Sequence, residues 1–172
     1  LTDEKMFYLN DSKVVFDEQI TETSSEINYE VVLGYNKEVE TSVAGTIILL
    51  KGDYSFCKTE LELEENVDMN DLVYSSNSVE QYFEGKKTLS LDGIQLDVDS
   101  TYTMVVGLVP ESAKYYESVS LCNMFTKVYT IKHNYGEPVF TWGDDNLSAT
   151  IAFSCATNPA HDKTFDAEIT TD

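Results

Sequence analysis

The chain has 172 residues, with 31 Asp+Glu against 11 Lys+Arg, a formal net charge of −20 and an isoelectric point near 4.2. Every basic residue is a lysine. Such a chain lacks the basic patch that nucleic-acid phosphate requires, an anionic membrane repels it, and without arginine no guanidinium fork can grip phosphate or carboxylate.

The opening Leu1-Thr2-Asp3-Glu4-Lys5 has no basic or apolar leader character and is expected to be a processed or excised start. From there the dominant pattern is period two. Ile27, Tyr29, Val31, Leu33 and Tyr35 alternate with more polar neighbours, as do residues 58–64 (KTELELE) and 88–92 (TLSLD). The same holds for Ala149, Ile151, Phe153 and Cys155, and for Phe165, Ala167 and Ile169. Alternation of this length places one set of side chains on a core and the other in water, which predicts half-buried antiparallel strands. The apolar runs at 47–50 and 104–106 fall far short of the ~20 residues of a membrane helix, so no membrane insertion is expected within this segment. Glycine and Asx clusters at 34–36, 51–53, 92–93, 136–138 and 143–146 supply the turns. Residues 71–83 break the pattern. Leu72, Val79 and Phe83 have helix-compatible spacing behind a possible Asn70 or Asp71 cap, so a short helix and a structured loop are both open there. Many short strands at regular spacing predict an all-β chain: an antiparallel β-sandwich over 1–131, which the resemblance described next makes immunoglobulin-like, and a small three-stranded β module over 132–172.

Residues 88–106 (TLSLDGIQLDVDSTYTMVV) carry a resemblance. An alternating strand, Leu96, a short turn and Tyr102 opening the next strand are similar to the E-to-F segment of fibronectin type III and related immunoglobulin-like domains. The resemblance implies a tyrosine corner, in which the Tyr102 hydroxyl bonds backbone upstream of it. The turn departs from the family's usual Pro-Gly, with Val98-Asp99 instead, and Trp142 is the sole tryptophan, so the early-strand Trp is missing. The tail resembles a second family. Residues 133–142 (HNYGEPVFTW), 149–155 (ATIAFSC) and 163–170 are similar to small strand-rich modules of large secreted bacterial surface proteins. That likeness implies an extracellular multidomain protein.

Candidate sites are few. His133, Cys155 and His161 are the soft-ligand set; zinc takes four such donors, so a fourth here would have to be a carboxylate. Turn histidines and a core cysteine are the plainer reading. Asp68, Asn70 and Asp71, and separately Asp97 and Asp99, cluster oxygen donors as calcium sites do, although neither matches an EF-hand and acidic clusters are common in so acidic a chain. Calcium is therefore the one cofactor considered, and otherwise none is expected. Cys57 and Cys122 could bridge two sheets, a bond contributing roughly 4 kcal/mol in the chain-entropy model, against the favoured reading of reduced, buried thiols. Tyr115, Tyr116 and Trp142 could stack on sugars. Lys13, Lys51, Lys58 and Lys127 are candidates for an internal isopeptide, with nothing to single one out. No serine-elbow, zinc-protease, phosphate-loop or dinucleotide motif is present, so no enzyme is expected. The reading is a non-catalytic, monomeric module of a bacterial extracellular surface protein, either a spacer or an adhesive unit meeting protein or glycan at the cell surface. The alternatives are a carbohydrate-binding accessory domain of a secreted glycan-degrading enzyme and a small carboxylate-dependent hydrolase.

Overall fold

The computed structural model describes residues 9, 11–35, 37–38, 40–111 and 123–168. Ten strands dominate: β1 (Lys13–Phe16), β2 (Glu26–Val32), β3 (Val43–Lys51), β4 (Leu72–Asn77), β5 (Gly85–Ser90), β6 (Thr101–Pro110), β7 (Asn123–Thr130), β8 (Val139–Trp142), β9 (Ser148–Phe153) and β10 (Lys163–Glu168). A single α-helix among the described residues, α1 (Glu60–Asn66), follows β3. All strand pairs are antiparallel, in sheets ordered β1-β2-β5, β4-β3-β6-β7 and β10-β9-β8.

The first two sheets face one another across one apolar core. Ile27, Tyr29 and Val31 of β2 and Leu89 of β5 meet Ile47 and Leu49 of β3 and Met104, Val106 and Leu108 of β6 in a single buried cluster. Strand β2 alternates strictly between exposed and buried, as its sequence predicts, because only one face of its sheet meets the core. Strand β6 differs: it is buried on both faces, which explains its near-continuous apolar run. Its inner side joins the main core, while Val105 packs with Leu50, Tyr54, Cys57 and Leu63 beneath α1.

That helix overturns the strand expected at 58–64. The Thr59 hydroxyl accepts from the Glu62 N–H at 3.2 Å, and the Glu62 carboxylate accepts from the Lys58 N–H at 2.6 Å. This reciprocal capping of a Thr-x-x-Glu start satisfies backbone donors that a strand here would leave without a partner strand. Burial follows the helix, since Leu63 is buried while Leu61 is 59% exposed. The helix considered over 71–83 is likewise absent. A 3-10 turn, Met69–Asp71, leads directly into β4, which pairs with the edge of β3. Tertiary pairing overrides a weak helical spacing there.

The turn before β6 is closed by a side-chain bond to the backbone. The Tyr102 hydroxyl accepts from the Asp97 N–H at 2.9 Å, Tyr102 and Leu96 are buried, and Asp99 takes the left-handed conformation with φ of 62°. Beyond β7 the chain runs into the third sheet, a small antiparallel unit whose β8 and β10 are exposed along their length. Contacts with the sandwich gather at the β1–β2 connection. Thr21 forms a parallel bridge with Lys132, the Glu22 N–H donates to the Lys132 carbonyl at 3.0 Å, and the Asn134 N–H donates to the Glu22 carboxylate at 3.2 Å.

Candidate functional site

Three of the residues singled out in the sequence converge at that junction, joined by one that was not. Glu22 stands on the connection between β1 and β2, His133 just past β7, Cys155 just past β9, and His161 on the 3-10 turn Pro159–His161. One ligand-type atom from each lies within 4.8 Å of all the others. The Cys155 Sγ is 2.6 Å from Glu22 Oε1, 3.9 Å from His133 Nδ1 and 3.8 Å from His161 Nδ1. Each Nδ1 is 4.0 Å from a Glu22 oxygen, and the two imidazoles meet edge to face with centroids 4.7 Å apart.

Local structure explains each position. The Tyr135–Cys155 bridge and the Ala156 N–H to Asn134 carbonyl bond hold His133 and Cys155 side by side on adjacent segments. Asn158 caps the 3-10 turn by accepting from the Ala160 N–H, and Pro159 sets the backbone that returns His161 to the sulfur. The Tyr135 ring stacks on His133, and its hydroxyl donates to the His161 carbonyl at 3.1 Å. Asp162 accepts from the Cys155 N–H at 2.7 Å, and Asp99 lies 3.5 Å from His133 Nε2.

The electrostatics are unusual for so acidic a chain. The Glu22 side chain is only 4% exposed. Burial alone would raise its carboxyl, but hydrogen bonds from Cys155, Thr157 and the Asn134 N–H, with His133 nearby, hold it below its ordinary value. Burial and the Glu22 carboxylate push the Cys155 thiol up; the backbone N–H groups of Thr157 and Asn158 and the His133 ring outweigh them and bring it down to about 7. The contact with Cys155 raises His133, burial opposes this, and Asp99 and Glu22 add to the rise. Glu22, His133 and His161 line a cleft of about 680 Å³ that also reaches Asp97, Asp99 and Tyr135. Two imidazoles, a thiol of lowered pKa and a carboxylate can share protons or ligate a cation.

The other candidates lie apart. Asp68 caps the 3-10 turn by accepting from the Asn70 N–H, and Asp71 accepts from the Tyr54 hydroxyl at 2.5 Å. Asp97 pairs with Lys51 at 2.6 Å, while Asp99 faces His133. Each of these acids thus has a local role. Among the described residues, the group of three or more His, Cys, Asp or Glu with converging ligand atoms is the one at Glu22. Cys57 is a free thiol in the loop before α1 rather than in a strand, donating toward the Glu62 carbonyl at 3.6 Å. Cys122, Tyr115 and Tyr116 lie outside the described residues. Lys58 donates to the Ser55 carbonyl and Lys127 approaches Glu18 at 3.7 Å. Trp142 is 60% exposed on β8 beside Phe140 at 60%, and Phe165 of β10 is 54% exposed. Phe140, Ile151 and Phe165 are successive register partners across the third sheet and share one face. A scan of protein-family models finds none that matches the chain, and a search of curated proteins likewise finds no match.

Proposed function

We propose that this chain is a non-catalytic module of a bacterial extracellular surface protein, a fibronectin type III-like sandwich carrying a small β unit that serves as spacer or adhesive surface. The observation that carries the fold part of this reading is the strand order. Lettered along the chain, β1, β2 and β5 form an A-B-E sheet and β4, β3, β6 and β7 a C′-C-F-G sheet. The fourth strand sits beside the third rather than beside the fifth, as it would in a constant-type immunoglobulin domain. The Tyr102–Asp97 bond adds a tyrosine corner at the expected turn. The surface role rests on the likeness of the tail to bacterial surface modules and on a coat of acids that keeps strand faces soluble.

Antibody labelling of intact and permeabilised source cells tests location; labelling only after permeabilisation refutes the reading. The adhesive variant is favoured by the exposed Phe140, Trp142 and Phe165, since ring faces can stack on the apolar C–H faces of sugars. A glycan array with Trp142 fluorescence as readout separates binder from spacer. Silence across the array leaves the spacer role.

A further inference from the structure

We propose that Glu22, His133, Cys155 and His161 form a four-coordinate zinc site that locks the small β unit onto the sandwich. The geometry is the first argument. In tetrahedral zinc sites with ordinary Zn–N, Zn–O and Zn–S lengths, neighbouring donors stand about 3.3–3.6 Å apart. Here the nitrogen-to-sulfur separations are 3.8 and 3.9 Å, the His133 Nδ1 is 4.0 Å from Glu22 Oε1 and the His161 Nδ1 4.0 Å from Oε2, and one ligand atom from each residue lies within 4.8 Å of the other three. Closing on an ion needs the imidazoles to move inward by a few tenths of an ångström, while the Sγ–Oε1 contact of 2.6 Å opens.

Charge is the second argument. A carboxylate only 4% exposed needs a counter-charge, and its ion partners among the described residues are two imidazoles rather than a lysine. With the thiol deprotonated and both imidazoles neutral, the four ligands carry two negative charges, which a dication cancels. As the S–Zn bond forms, the thiol proton leaves to solvent.

The surroundings also fit. Asp99, 3.5 Å from His133 Nε2, is placed to accept from that nitrogen and turn Nδ1 toward the cluster, the usual arrangement behind a metal-bound histidine. A thiolate with two imidazoles selects zinc over calcium or magnesium, which prefer all-oxygen shells. Four protein donors fill a tetrahedron, leaving no open position for a substrate, so the ion is structural. Glu22 belongs to the sandwich, whereas Cys155 and His161 belong to the small unit. The ion thus ties together segments 133 residues apart in the chain. This inference stands whether or not the protein resides at a cell surface.

The whole chain, stripped with chelator and dialysed, is titrated with Zn²⁺ and separately with Co²⁺. The expected result is one zinc per chain by elemental analysis and a sulfur-to-cobalt charge-transfer band in the Co²⁺ form. Zinc should also shield Cys155 from alkylation, as read by peptide mass mapping, and slow proteolysis at 132–138. Cys155→Ser should abolish the band, and Asp99→Asn should weaken zinc about 10–100-fold. Substoichiometric zinc at saturating concentration, a cobalt spectrum without the thiolate band, or alkylation of Cys155 unaffected by zinc would each overturn the proposal. These wild-type measurements decide the matter even if a substituted chain misfolds.

Discussion

Gly45 sits mid-sandwich on β3, facing the core, with the Phe83 ring directly over it. A Cβ added there would lie 2.1 Å from Phe83 Cδ1 and 2.3 Å from Cγ. Ordinary carbon contacts are about 3.5–4.0 Å, so in Gly45→Ala the ring must retreat by more than about 1 Å. It has little room: Tyr29 packs against it at 6.4 Å between centroids and Lys87 Nζ sits 4.7 Å from its centre. Overpacking of this kind costs about 1–3 kcal/mol, offset by about 0.4–1 kcal/mol because alanine narrows the unfolded ensemble, which leaves a net loss centred on about 1.3 kcal/mol and at most about 2.6 kcal/mol. Phe83→Leu alone should also destabilise, through a cavity. The double substitution should cost clearly less than the sum, with a coupling of about 1 kcal/mol or more. Urea unfolding followed by far-UV circular dichroism measures this through the midpoint at constant slope. Trp142 is the only tryptophan and lies in the third sheet, so its fluorescence would report the wrong unit. Strictly additive costs would refute the placement of the ring over Gly45.

Three further outcomes are expected. Tyr102→Phe removes the acceptor of the Asp97 N–H and should cost about 1–2 kcal/mol, or about 2–8 °C in melting temperature for a chain of this size; an unchanged melting temperature would remove the corner from the fold's support. Thr59→Ala should cost about 1 kcal/mol and speed amide exchange across 60–66, because the cap of α1 is lost; unaltered exchange would mean that the hydroxyl does no capping. Burial pushes the Tyr29 hydroxyl up to about 12 and raises Tyr129 as well, whereas unfolded tyrosine titrates near 10. Between pH 10 and 12 the unfolded chain therefore binds fewer protons than the folded one, so stability is intact below pH 10 and falls as pH rises through that window. A urea midpoint that stays level from pH 10 to 11.5 would contradict this.

Much of the sandwich was legible locally. Residues 27–31 alternate because one face of their sheet meets the core, and that periodicity survives without knowledge of the partner strand. Leu96 and Tyr102 mark a corner whose defining bond spans five residues. The misreadings had tertiary causes, with one local exception. Residues 58–64 alternate as a strand would, but the helix buries Leu63 against Val105 on the outer face of β6. The Thr59-x-x-Glu62 start was the local signal that could have revealed it. Residues 72–77 became a strand because β3 offered an edge to pair with.

By itself, the sequence determined the charge, the all-β character, the turn positions and the chemical kinds of three converging side chains, all properties of composition or of short-range periodicity. It also implied that a fourth donor would be a carboxylate, without singling out Glu22 from 31 acids. Long-range folding made that choice. Glu22 reaches Cys155 because a short parallel bridge between Thr21 and Lys132 draws the β1–β2 connection alongside the exit of β7. No local pattern encodes a contact between segments so distant in the chain; chain topology and the docking of one sheet beside another set it.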